Sequence, residues 1–144
     1  MKMNKERLLV LADFLETSVP KERFDLDEWV GDVEGDPELD PKTLEYKPCG
    51  TSACASGWAA TIPNFQKAGF VLVVDNGDLS PSYRGKLGWE AVASFFGLTD
   101  CEPDCYPNNG TDLHSIFVTQ AYKSSPTPKQ VAKRIRQVVA NAEK

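Results

Sequence analysis

A chain of 144 residues is long enough to bury one real core, and 41% hydrophobic with 10% aromatic content excludes a disordered polypeptide. The net charge of −5 argues against a nonspecific binder of nucleic acid or membrane surfaces. No stretch approaches the ~20 apolar residues that a membrane span needs.

The start, MKMNKERLLVLADFLET, has its apolar run cut by Asp13 and Glu16, and no small-residue cleavage site follows, so it does not read as a signal peptide. The expectation is a cytoplasmic protein of a bacterial cell, with its four cysteines as reduced thiols. Leu8, Leu11, Ala12 and Leu15 stand at i, i+3, i+4 and i+7 and predict an amphipathic helix over about residues 4–17. Ser18-Val19-Pro20 ends it, and Phe24, Leu26 and Trp29 pin a turn or short helix to the core.

From Asp25 to Asp40 the chain carries eight acids and no base. GDVEGDPELDP within it is a loop, and its misplaced Gly and missing twelfth-position Glu exclude a calcium loop. The run is either a solvated surface or a docking face for a basic partner, and Asp32, Glu34, Asp36 and Glu38 are its candidate partner-binding residues.

CGTSACASGWAA, residues 49–60, concentrates reactive side chains. Thr51 has the profile of an N-cap, with Gly50 before it to turn the chain. The small residues from Ala53 to Ala60 let a helix sit deep among its neighbours, with Trp58 and Ile62 aligned with Cys54 on one face. Packing explains the stretch most simply. Two functional readings compete with it. Free amides at the helix start could hold a small anion through Gly50, Thr51, Ser52 and Ala53, although the phosphate-loop pattern is absent. Alternatively, Cys49 or Cys54 is a nucleophile or redox thiol activated by that helix start. Such an enzyme would want a His base, and His114 is the one histidine. Zinc held by Cys49-x4-Cys54 and Cys101-x3-Cys105 is a third possibility, disfavoured because Cys54 falls in the packed helix.

Pro63 ends this helix. GFVLVV, residues 69–74, reads as a strand, and Asp75-Asn76-Gly77-Asp78 supplies the turn to a second strand near residues 79–84. Trp89, Val92, Ala93 and Phe96 form the stripe of another helix, stopped by Gly97 in a left-handed conformation. LTDCEPDCYPNNGTD is a loop, and Tyr83, Arg84 and Tyr106 could stack on a ring-bearing ligand. In the last helix Thr127 is the N-cap, Pro128 stands at N1 and Gln130 completes a capping box. Val131, Ile135, Val138 and Ala142 form its apolar stripe, with Lys129, Lys133, Arg134 and Arg136 around it as a solvated face.

The fold expected is mainly α, a compact single domain over residues 1–144, with about four helices and a small β-hairpin (α+β). CGTSACASGWA resembles the C-G-T-x-x-C-x-x-G-[WH]-A motif of small uncharacterised proteins encoded by bacteria and their phages. LADFLET, VPKERFDLDEW, FFGLTD and TPKQVAKRI are similar to segments of those proteins in the same order. Their chain usually continues as a helix after FFGL, where Cys101, Pro103, Cys105 and Pro107 here make a loop. The resemblance implies a phage or bacterial origin and no functional residues. Together these readings predict a non-enzymatic binding protein of a phage or mobile element. It would inhibit a host defence factor by contact with a host protein or by sequestering a small anionic ligand. No cofactor, catalytic residue, resident metal, membrane contact or direct nucleic-acid binding is expected.

Overall fold

The computed structural model describes residues 3–19, 24, 54–75, 78–98, 112–118, 121–124 and 126–142. Among them are six helices and one three-stranded antiparallel sheet, a mainly helical α+β fold.

Helix α1 spans Lys5–Ser18, one residue beyond the expected frame. The Asn4 side chain accepts from the Arg7 N–H at 3.0 Å, and the Asn4 N–H donates to the Phe96 carbonyl at 2.8 Å. Leu8, Leu11, Ala12 and Leu15 are all fully buried, as the spacing predicts. They face α6, Pro128–Ala142, the longest of the described helices. Of the expected α6 stripe, Val131, Ile135 and Val138 are buried, but Ala142 is exposed because it sits at the last helical position, beyond that packing. Arg136 closes the α1–α6 seam from outside, bonding Asp13 at 2.8 Å and Glu16 at 2.7 Å.

The α6 capping box forms reciprocally. The Thr127 N–H donates to Gln130 Oε1 at 2.8 Å, and the Gln130 N–H donates to Thr127 Oγ1 at 3.2 Å. Thr127→Ala should therefore cost about 1 kcal/mol of stability, read as a lower urea midpoint with an unchanged slope.

The short helix α2, Ala55–Ala59, is buried along its whole length, since its small residues admit neighbours closely. Its cap is not the expected one. Cys54 is the N-cap, extended at φ −77° and ψ 177°, and its Sγ accepts from the Gly57 N–H at 3.4 Å. Nor does Pro63 end that helix, which stops at Ala59 with Ala60 as its C-cap. The extended Ile62 before it obeys the steric rule, yet Pro63 opens α3, Pro63–Lys67, as its first residue.

Strands β1, Val71–Asp75, and β2, Asp78–Tyr83, pair with Asp75 opposite Asp78, the register of a two-residue Asn-Gly connection. A third strand, β3, Lys86–Leu87, folds back on β2 through Arg84 and Gly85, both at positive φ. Helix α4, Trp89–Phe96, follows and ends on Gly97 at φ 65°, ψ 39°, as expected. Phe95 and Phe96 project from α4 into a cluster with Phe65, Phe70, Tyr83 and Phe117. Phe24 packs against the same core half-buried. The expected loop over residues 98–112 lies outside the described residues except at its ends. Asp112 is not loop but opens a further helix, α5, Asp112–Phe117, with Leu113, Ile116 and Phe117 buried.

Candidate functional site

Most of the sequence-derived candidates lie outside the described residues: Gly50, Thr51, Ser52 and Ala53, Asp32, Glu34, Asp36 and Glu38, and Cys49, Cys101, Cys105 and Tyr106. The His114 side chain lies outside them too. Cys54 is described, and it is only 3% exposed, with its sulfur turned to the first turn of α2. That position suits a small apolar side chain more than an accessible nucleophile. Tyr83, considered as a stacking platform, is 4% exposed and set edge-on to Phe95 at 5.0 Å, so its faces belong to the core. Arg84 lies 5.2 Å from the Tyr83 ring centroid, on a turn whose positive φ fixes its direction.

A different site emerges where α6 meets the turn at residues 121–124. A cleft of about 310 Å³ is lined by Tyr122, Lys123 and Ser124 from the turn and by Gln130, Lys133, Arg134 and Gln137 from α6. The four α6 residues stand at i, i+3, i+4 and i+7, which places them on one helical face. That face is the polar counterpart of the stripe buried against α1.

Arg134 builds the cleft floor. Its Nη1 donates to the Ser115 carbonyl at 2.8 Å, to the Ala121 carbonyl at 3.3 Å and to Ser115 Oγ at 3.3 Å. Its guanidinium carbon lies 4.3 Å from the Tyr122 ring centroid, a cation–π contact. The Tyr122 hydroxyl in turn donates to the Ile116 carbonyl at 2.7 Å. One cation thus ties α5, the turn and α6 together, and it still presents Nε and Nη2, which meet no acceptor among the described residues.

Burial pushes the Tyr122 phenol well above the ordinary tyrosine range, and the charge of Arg134 only partly opposes this. The folded state therefore favours the neutral phenol. Its contribution to stability is complete below the ordinary value of about 10 and is lost as the pH rises above it. Tyr122→Phe should flatten the alkaline fall in stability, measured as urea midpoints at about pH 8 and about pH 10.5.

The remaining groups are two lysines, two amides and a hydroxyl. The capping box engages Gln130 Oε1 and leaves its NH2 as a donor. Lys123 and Lys133 are exposed, and Asp13 and Glu16 are held by Arg136. None of the described lining residues carries a carboxylate, an imidazole or a thiol. A concave wall whose described residues include three cations and no carboxylate is suited to holding an anion.

No family model, no curated protein and no solved structure matches this chain. The site must therefore be read from its own geometry. Among the described residues, no helix is long and apolar enough to cross a membrane. No described group of three or more His, Cys, Asp or Glu side chains could hold a metal ion. The sequence did contain a signal for the cleft, the polar repeat Gln130, Lys133, Arg134 and Gln137. It passed for a solvated face because the opposing wall comes from a turn that only the tertiary fold brings near.

Proposed function

We propose that this chain is a non-enzymatic binding protein that takes a small anionic ligand in the cleft between α6 and the turn at residues 121–124. The observation that carries this reading is a lining whose described residues include three cations, Lys123, Lys133 and Arg134, and no carboxylate. Ammonium, guanidinium and amide groups bind an anion, whereas a Tyr122 phenol kept protonated by burial is a poor general base at neutral pH.

Net charge sharpens the choice of ligand. A chain of net charge −5 repels long polyanions at a distance, while a local positive cleft still attracts a small one. Sequestering such a ligand is the branch of the phage or mobile-element reading that the cleft favours over contact with a host protein. A cytoplasmic setting in a bacterial cell, where small phosphates and carboxylates abound, goes with it.

The test is thermal. Ligand binding to the folded state alone raises stability by about 2.7 kcal/mol at a concentration one hundred times Kd. Pyrophosphate or citrate should raise the melting temperature of the wild type, and Lys133→Gln should remove most of that rise. Equal stabilisation of both forms, or none of either, would refute the cleft as the binding site.

A further inference from the structure

We infer that the ligand of this cleft carries a linear phosphoryl chain and is held through its phosphates, without recognition of a base. The inference rests on the proposed anion site and adds the class of anion.

Two features of the cleft specify that class. The first is its shape. From Gln130 to Gln137 the α6 donors run along seven residues of helix, a row about 10 Å long at ~1.5 Å of rise per residue. Lys133 and Arg134 stand in the middle of the row, and Lys123 and Ser124 come from the turn opposite. A row of that length offers successive donors to an extended anion, whereas a compact one engages only part of it. The Nε and Nη2 edge of Arg134 supplies the planar fork that matches two oxygens of one phosphoryl group.

The second feature concerns what is missing for a base. The aromatic ring in the lining, Tyr122, has the Arg134 guanidinium on one face at 4.3 Å, and its hydroxyl is bonded to the Ile116 carbonyl. The site thus offers charge along its length, and its one described aromatic ring is already paired with a cation. A nucleotide would be held by its phosphate tail, with affinity close to that of the bare chain.

Calorimetric titration of the full chain with five probes tests this: tripolyphosphate, citrate, ATP, adenosine and a twelve-residue oligothymidylate. Tripolyphosphate should bind at least tenfold tighter than citrate, ATP within about threefold of tripolyphosphate, and adenosine not at all. Lys133→Gln should weaken tripolyphosphate at least tenfold. Lys129→Gln, an exposed cation of the same helix outside the cleft lining, should change it less than twofold. Citrate equal to tripolyphosphate would overturn the phosphoryl class and leave the anion site standing. Adenosine binding, or ATP more than tenfold tighter than tripolyphosphate, would overturn recognition by phosphate alone. An oligothymidylate tighter than tripolyphosphate would overturn a small-molecule ligand. If no probe binds, both the inference and the anion site fail.

Discussion

Phe95→Ala is expected to destabilise the protein by about 3–5 kcal/mol, lowering its melting temperature by roughly 10 °C or more. The side chain is 1% exposed and lies at the centre of the aromatic cluster. Its ring centroid is 4.5 Å from Phe70, 4.9 Å from Phe65, and 5.0 Å from both Tyr83 and Phe96. Those neighbours come from α3, the segment before β1, β2 and α4 itself, so one truncation opens a hole between four parts of the chain. Arg7 adds a second consequence. Its guanidinium lies 4.1 Å from the Phe95 ring centroid and donates to the Phe95 carbonyl at 2.9 Å, which fastens α1 to the cluster. Phe95→Leu keeps much of the apolar volume but loses the edge-to-face contacts and the cation–π partner, and it should cost less than half as much. Urea denaturation of both variants checks the order. A loss below 1 kcal/mol for the alanine variant would contradict the central place given to this cluster.

Arg134→Ala has the second-largest expected effect, and it acts on stability and binding together. Hydrogen bonds from a charged donor contribute about 1.5–3 kcal/mol, and this side chain serves two carbonyls and a hydroxyl while covering the Tyr122 ring. Its removal leaves the Ser115 and Ala121 carbonyls without that donor and should cost about 2–3 kcal/mol. Arg134→Lys restores the charge but neither the planar fork nor the stacking, so it should recover under half of the loss. Anion affinity, measured well below the melting temperature of each variant, should fall in both. A lysine variant as stable as the wild type would show that only charge matters at this position.

These two residues also mark where the sequence was and was not informative. Long elements with full periodicity could be read: α1 from its leucines, α4 with its Gly97 stop, and α6 from a capping box that forms bond for bond. The β1–β2 hairpin followed from Asn76-Gly77 between apolar runs. Three short elements, α3, β3 and α5, show no legible period and no turn signal like that of the β1–β2 hairpin. The start of α2 was misplaced for another reason. Thr51 is the better capper by propensity, but the N-cap of α2 is the extended, buried Cys54, where a weak sulfur acceptor meets the Gly57 N–H. Tertiary burial outweighs a cap difference of this size, since one buried side chain contributes more than a cap does.

The cleft shows the same division between what is local and what is not. Its α6 face was present in the sequence as a polar repeat, yet nothing local revealed that Tyr122 would turn back beneath Arg134. That contact depends on the Ile116 carbonyl at the end of α5, an element the sequence had not disclosed. The acidic run from Asp25 to Asp40 drew attention by composition alone, whereas the basic residues near the other end divided their tasks. Arg136 closes the α1 seam, Arg134 joins three segments, and Lys133 stands at the cleft with its charge toward solvent.

The most direct measurement is a titration of the isotopically labelled chain with tripolyphosphate, followed by the chemical shifts of its backbone amides. Saturable shifts are expected to concentrate at residues 122–124 and 130–137 and to be absent in Lys133→Gln. Shifts concentrated instead at residues 49–53 or 32–38, or none that saturate, would contradict the cleft as the anion site.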